Sequence, residues 1–504
     1  MSVRTQPRAG VREWLGLAVL ALPTLLLSVD ATVLYLALPH LTTDLWPTAT
    51  QTLWIVDIYG FMIGGFLITM GTLGDRIGRR RLLMIGALAF GAASVLAAYA
   101  TDPTVLIAAR ALLGVAGATL MPSTLALITT MFRDPGQRGM AIGVWAACFS
   151  AGLAAGPLIG GALLELFWWG SVFLLAVPVM VVLLVAAPVL LPEAKDPQAG
   201  RIDLVSVALS LAAMLPAIYS LKVIATEGIE VGALVALVAS VVFGVLFVRR
   251  QRTLVDPLLD LRLFTRPSFV GALLALLVGL AVVGVVYLFA TQYLQMVSGL
   301  SPLAAGLWLL PSAVAMIVTS IAAPVLARKV APGLLVAASL VVSAVGYVLL
   351  AFVDGPNGMA LVVAGLVVIY LGIGPMMALG TDLVVSRAPA ERAGSAAAMS
   401  ETSMEFGLAL GVAVLGSLGA AVYRSELPGG TPAEATESLA GALAVGNADL
   451  VAAAREAFTS ALNAVGWAGA VAAVGIAVVT ALLVRGPDAG PNQPVMEEAA
   501  TSRN

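Results

Sequence analysis

Four carboxylates lie inside long apolar runs of this chain: Asp30, Asp57, Glu401 and Glu405. A charge at bilayer depth is costly, so each acid must line a wet cavity, meet a cation, or hold a proton. Those are the conditions under which a side chain can carry protons or bind a cationic solute. Glu401 and Glu405 are spaced i, i+4 and share one helix face. If that face turns inward, the two like charges compete for ionisation and the pair can take up and release one proton. Two placements are open for Asp57, inward or at the membrane interface near its helix end. Two are open for Glu401 as well, inward or capping the start of its helix. Arg110, inside another apolar run, needs a counter-charge, and a carboxylate of the same half is the natural partner. Snorkelling to an interface is its other placement.

The elements that hold these residues must come from a chain that is almost wholly apolar. It has 504 residues, 60% hydrophobic and 11% charged, with a mean hydropathy of +1.03. A soluble domain carries about a quarter charged residues, so the composition excludes a large water-soluble enzyme. Counting excludes other chemistries. The only lysines, Lys195, Lys222 and Lys329, follow Ala194, Leu221 and Arg328, so no Gly-Lys-Ser/Thr phosphate loop exists. One histidine (His40) and one cysteine (Cys148) build neither a zinc site nor a disulfide framework. The nearest approach to a Gly-x-Ser-x-Gly nucleophile elbow, at 299–303, lacks its second glycine. An enzyme, a metal site and a bound cofactor are therefore not expected, and a net charge of −2 offers no basic face for nucleic acid. The large excess of arginine over lysine points to a GC-rich bacterial genome.

Apolar runs bounded by charges, proline and glycine predict fourteen membrane helices. They lie near 14–38, 53–73, 82–100, 104–131, 139–164, 170–191, 205–224, 232–248, 269–294, 303–327, 333–352, 359–384, 395–422 and 463–484. With the N-terminus inside, all but four of the lysines and arginines fall in the tails and in the loops after even-numbered spans. The exceptions are Arg424 and Arg455 outside and Arg110 and Lys222 within spans. So one-sided a split implies an even number of spans with both termini in the cytoplasm. The first span has a basic flank but no small-residue cleavage site before Asp30, and is expected to stay uncleaved. The segment 424–461 is expected to be a loose outer loop with a short amphipathic helix from Asp449 to Leu462, and 485–504 a disordered tail.

Several stretches have spacing that anchoring alone does not explain. Gly71-Thr-Leu-Gly-Asp75-Arg76-Ile-Gly78-Arg79-Arg80-Arg81 joins spans 2 and 3, where glycines permit a tight turn and Asp75 can pair with the arginines and with neighbouring helix ends. This stretch resembles the signature loop of the major facilitator superfamily. Leu106-Ile-Ala-Ala-Arg110-Ala-Leu-Leu-Gly114-Val-Ala-Gly117-Ala118 resembles that superfamily's fourth-helix motif, with Leu113 where a glutamine often stands. Gly152-Leu-Ala-Ala-Gly156-Pro157-Leu-Ile-Gly160-Gly161 reads as a small-residue ridge with a proline kink, suited to close packing. It is also similar to the antiporter motif of the superfamily's exporters. Val29-Asp30-Ala-Thr32-Val33-Leu-Tyr-Leu-Ala37-Leu38-Pro39 and Trp54-Ile-Val-Asp57-Ile-Tyr59 resemble the first- and second-helix motifs of the fourteen-helix drug:proton antiporter family.

The resemblance implies an all-α integral membrane fold of the major facilitator type. Its parts would be an N-tail (1–13), a six-helix bundle (14–191), two inserted spans (192–250), a linker (251–268), a second six-helix bundle (269–484) and a C-tail (485–504). The substrate site would lie near midplane between the bundles, reached alternately from each side. The implied activity is proton-coupled export of lipophilic cationic drugs and antiseptics, such as quaternary ammonium compounds, ethidium- or acriflavine-like dyes and fluoroquinolones. It would run on the proton gradient without a cofactor, in a monomer in the bacterial cytoplasmic membrane. Asp30 would couple the proton, Glu401 and Glu405 would hold substrate charge or a second proton, and Asp57 would assist. Tyr59, Trp145, Phe149 and Tyr293, with Trp54 and Trp308, are candidates to stack on planar cations; lipid-facing or interfacial placement is the other reading, and it suits Trp54 and Trp308 better than Trp145 and Phe149. Some family members that handle dications carry an acid in span 10; here none lies between Asp260 and Asp354, which counts against efficient dication export. The competing reading is a dedicated exporter of one natural product made by the host.

Overall fold

In a lipid interior each backbone N–H and C=O must be satisfied within the protein, and helices do this segment by segment. The computed structural model describes residues 9–47, 49–195, 203–226, 230–254, 257–389 and 392–484, and among these it is all-helical. The first half comprises α1 (Val11–Leu45), α2 (Ala49–Ile77), α3 (Arg79–Ala98), α4 (Pro103–Met131), α5 (Pro135–Leu166), α6 (Ser171–Leu174) and α7 (Ala176–Leu190). Two further helices follow, α8 (Leu204–Thr226) and α9 (Val231–Thr253). The second half comprises α10 (Pro267–Gln292), α11 (Pro302–Leu326), α12 (Pro332–Leu350), α13 (Met359–Arg387), α14 (Ala393–Gly411), α15 (Ser417–Glu426), α16 (Ala433–Glu437), α17 (Leu439–Val445) and α18 (Ala448–Val484). Among the described residues, thirteen helical spans are long and apolar enough to cross a membrane, and the bent α5 makes fourteen.

Local sequence sets where many of these helices begin. At α4, α5 and α11 a polar residue precedes a proline. Asp102, Asp134 and Ser301 each accept a first-turn N–H, while Pro103, Pro135 and Pro302 occupy the position whose N–H has no helical partner. Packing then sorts the helices into two bundles. In the first, α1 lies on α5 and α7, α2 on α4, and α3 on α4 and α7; in the second, α13 lies on α11 and α12, and α18 on α10, α12 and α15. Each bundle has its own apolar core, one around Leu20, Leu67, Leu83 and Phe173, the other around Phe269, Tyr293, Leu350 and Ile369. The inserted helices pack on each other, and α8 also leans on α2. α9 turns Val235, Val238, Val241 and Val242 outward, as a lipid-facing helix does.

The bundles meet where α5 packs on α11 and α13, and α14 on α2 and α4. That boundary is closed on the face that carries the α2–α3, α4–α5 and α11–α12 turns. This is called the basic face below, after its arginines.

The structure redraws some expected boundaries. α18 begins at Ala448, so the helix expected over 449–462 is the opening of the last span itself. Asn447 Oδ1 accepts the N–H groups of Asp449 and Leu450 at 3.0 and 3.2 Å, and no breaker follows in the alanine-rich stretch. Ahead of it, 427–447 is shaped into α16 and α17, pinned by the Tyr423 hydroxyl donating to the Ala435 carbonyl at 2.9 Å. Span 13 is interrupted by a π turn at Val412–Gly416, and span 6 breaks at Leu175. Of the two expected tails, residues 1–8 and 485–504 lie outside the described residues.

Candidate functional site

α1 and α4 carry an ion pair at the heart of the first bundle. Arg110 Nη1 donates to Asp30 Oδ2 at 3.0 Å, and both side chains are almost wholly buried. Arg110 is therefore not snorkelling. Its Nε donates to the Ile55 carbonyl at 3.1 Å, its Nη2 reaches the Val56 carbonyl at 3.5 Å, and the guanidinium sits 4.5 Å from the centre of the Tyr59 ring. A desolvated guanidinium has five N–H donors in a fixed fork, and here α1 and α2 supply its acceptors and its aromatic face. Asp57 belongs to this stretch of α2, but its side chain lies outside the described residues.

α14 brings the second pair of acids. It faces α2 and α4 across the boundary between the bundles. Glu401 is fully buried, two turns beyond the start of α14 at Ala393, so it does not cap that helix. Its Oε1 has no hydrogen-bond partner among the described residues. Glu405, one turn on and half-buried, interacts electrostatically with Glu401 and with Tyr59. Through Glu405, the acids of α14 act electrostatically across the boundary on the Asp30–Arg110–Tyr59 group of the first bundle. A buried carboxylate oxygen without a partner is costly, and a proton or a cationic solute would relieve it.

The expected aromatics divide. Trp145 is buried, donates from Nε1 to Thr124 Oγ1 at 3.2 Å, and stacks on Phe149 with centroids 6.4 Å apart. Phe149 is half-buried and packs against both cores, which puts it at the boundary between bundles. Tyr293 is committed elsewhere. It is fully buried in the second core, and its hydroxyl donates to the Gly355 carbonyl in the α12–α13 turn. Trp54 and Trp308 are exposed, Trp54 lying edge-on to Phe61 with ring centroids 5.9 Å apart.

On the basic face, Asp75 closes the boundary. Its Oδ1 accepts from Arg79 Nε at 2.9 Å and from the Gly394 N–H at 3.0 Å, and its Oδ2 accepts from the Ser395 N–H at 2.9 Å. Those amides belong to the first turn of α14, where N–H groups lack helical partners and attract anions. A side chain of one bundle therefore caps a helix of the other. Close approach requires small residues here: a Cβ on Gly71 would stand 2.6 Å from the Gly394 oxygen and from Ala398 Cβ. Gly78 has φ of +112°, and a Cβ there would stand 2.5 Å from the Glu193 carboxylate. Arg79 crosses to α4, donating to the Ala126 carbonyl and Thr130 Oγ1 at 3.2 and 2.9 Å, while Arg76 is half-buried beside it.

Comparison with known proteins decides the family. Residues 20–412 match the family model described as Major Facilitator Superfamily. The chain belongs to the major facilitator superfamily. It is similar to the multidrug efflux pump LfrA of Mycolicibacterium smegmatis, 46% identical over 453 residues that cover 88% of this chain and 90% of that one. The methyl viologen resistance protein SmvA of Salmonella typhimurium is 37% identical, covering 81% of this chain and 82% of its own. The tetracenomycin C resistance and export protein of Streptomyces glaucescens is 32% identical, covering 82% and 77%. Among solved structures, the human organic anion transporter MFSD10 (TETRAN) aligns with 95% of this chain and 100% of its own at a TM-score of 0.60 and 16% identity, a likeness of fold. This major facilitator protein is a multi-pass membrane transporter.

Within the superfamily frame, the α5 ridge packs α5 onto α1. A Cβ on Gly152 would stand 2.1 Å from Ser28 Oγ and 2.4 Å from the Leu25 oxygen. α5 bends by 44° between Leu153 and Leu158, the kink that Pro157 leads one to expect, though its own ring is outside the described side chains. Gly156 and Gly160 are buried, whereas Gly161 faces open space and does not share in the packing. One acid was missed by reading the sequence. Asp382 of α13 accepts from Arg138 Nε of α5 at 3.0 Å, a second tie between the bundles. The only signal was an acid just inside the end of an apolar run, and no spacing rule connects residues 244 positions apart.

Proposed function

We propose that this transporter is a proton-coupled antiporter that exports lipophilic cations across a bacterial cytoplasmic membrane, with the basic face in the cytoplasm and both termini inside. The observation that carries the reading is Glu401, a buried acid with an unpartnered oxygen on α14, the helix that packs on α2 and α4 across the boundary between the bundles. A monovalent cation entering from the cytoplasm takes the place of a proton at this group; opening to the outside lets it leave as an external proton returns. Protonating Asp30 removes the charge that holds Arg110, so the ion pair ties proton uptake to the packing of α1, α2 and α4. The proton gradient drives the cycle, with no cofactor, in a monomer. The relatives named for multidrug efflux and for methyl viologen resistance support a cationic cargo.

The test is ethidium efflux from preloaded, pump-deficient bacterial cells expressing the chain, with Asp30→Asn as control and a protonophore added midway. Efflux that stops with the protonophore and is lost in Asp30→Asn, at unchanged membrane expression, is expected. Methyl viologen, a dication run beside ethidium, is expected to leave more slowly, since α10 to α12 supply no further acid. Normal export by Asp30→Asn would overturn the coupling role. A specific observation keeps one other reading in play: the similarity to an exporter of tetracenomycin C points to a single natural product as cargo. Expressed protein that moves neither cation would favour it.

A further inference from the structure

Beyond the two bundles, the inserted helices α8 and α9 are tied by a series of hydrogen bonds to the residues that flank the closure at Asp75. At their base, Arg250 Nε and Nη2 donate to Asp203 Oδ2 and Oδ1 at 2.6 and 2.9 Å, and the Ser206 hydroxyl donates to the same carboxylate at 2.7 Å. Gln251 of α9 is buried to 3% exposure although it is polar and close to a helix end. Its Nε2 donates to Ser206 Oγ at 2.8 Å, and its Oε1 accepts the N–H groups of Leu258 and Leu259 at 2.7 and 3.3 Å. One side-chain amide thus fixes the chain that leaves α9, while Leu258 and Leu259 bury their side chains in the second core beside Ile68 of α2.

From this anchored segment, one bond goes to each side of the bundle boundary. The Thr72 hydroxyl of α2 donates to the Leu258 carbonyl at 2.9 Å, one turn before Asp75. Asp260 Oδ2 accepts from Arg392 Nη1 at 3.2 Å, and Arg392 is the residue that precedes the first turn of α14. Asp75 and the α14 amides are the two partners of the closure, so residues 258–260 grip the helix on each side of it. A buried polar residue that satisfies two backbone amides must lose them, or carry them along, when the two helices part.

We propose that Gln251 anchors residues 258–260 as a strap across the basic face, so that the inserted helices hold the transporter closed there and set the balance between its two access states. The strap rests on the alternating access of the superfamily and not on the identity of the cargo. It explains why α8 packs against α2 while α9, among the described residues, packs chiefly on α8: the pair is a fixed post for the strap.

The test is a distance measurement on the full chain in lipid nanodiscs. Spin labels are placed at Arg133→Cys and Lys329→Cys, exposed positions in the basic-face turns of the two bundles, in a Cys148→Ser background. Gln251→Ala is expected to raise the ratio of long to short label distances roughly fivefold, the factor for removing one partner of a buried hydrogen bond. Thr72→Val, nearly isosteric, is expected to shift it in the same direction, and Gln251→Glu, which keeps an acceptor for the two amides, to shift it less. Unchanged distances in both Gln251→Ala and Thr72→Val would overturn the proposal; if Gln251→Ala does not fold, Thr72→Val decides alone. The readout is a distance and not a flux, so a failed efflux experiment leaves the strap standing, and a failed strap leaves the efflux reading standing.

Discussion

At the scale of single residues, the central fact is that Arg110 spends its guanidinium on several partners at once. Asp30, the Ile55 and Val56 carbonyls and the Tyr59 ring all lie around it. A lysine keeps the charge but is a compact point charge without the planar fork. Arg110→Lys is therefore expected to keep the attraction to Asp30 while losing the charged hydrogen bonds to the Ile55 and Val56 carbonyls, which retain only their helical N–H donors, at about 1–3 kcal/mol. The check is the apparent thermal unfolding midpoint of purified protein in detergent, which should fall; a midpoint equal to that of the parent would mean that charge alone, not the fork, holds the pair. Asp30 and Arg110 were each legible in the sequence, because an ion in an apolar run demands an explanation. Their pairing was legible only as a class, a carboxylate of the same half. Asp382 was hidden, since its position near a helix end made it look like an interfacial acid.

At the scale of elements, starts and stops were written locally and the partners were not. A polar cap followed by proline announces α4, α5 and α11, and such signals act within a few residues. The bonds that matter most for closure join Asp75 to residues 319 and 320 positions away, and no local rule reaches so far. The π turn at Val412–Gly416 and the early start of α18 also escaped, because apolar runs mark spans without marking how the backbone inside them winds. The inserted pair offers a test of electrostatics at element scale. The bonds from Arg250 and Ser206 hold the Asp203 carboxyl well below the usual carboxylate range. The native state then binds that proton less readily than the unfolded chain. The contribution to stability is full above the ordinary carboxylate pKa of about 4 and is lost as pH falls through the native value. The gap in unfolding midpoint between the parent and Asp203→Asn should be widest near neutral pH and should narrow below about pH 4. A gap that stays constant from about pH 7 to about pH 3 would show that the pair does not stabilise the fold through its charge.

At the scale of the whole molecule, one asymmetry organises the rest. Cations crowd the face on which Asp75 meets α14, Arg138 meets Asp382 and Arg392 meets Asp260. On the opposite face, Arg455 is engaged by the Met296 carbonyl at 3.0 Å, and Arg424 stands exposed. The same arginines can therefore serve two purposes: they set which way the chain inserts, and they hold that face shut. If insertion follows the cations, the α16–α17 segment lies outside the cell and the α11–α12 turn lies inside. Alkaline phosphatase, which is active only outside the cytoplasm, tests this when fused after Gly446 and, separately, after Lys329. Activity in the first fusion and its absence in the second is expected. The reverse pattern would put the Asp75 closure on the outer side, and a cation could then no longer be admitted from the cytoplasm by its opening. The cytoplasmic placement of the basic face and of the strap would have to be abandoned, because both depend on which side of the membrane those arginines face, while export itself would still be decided by efflux.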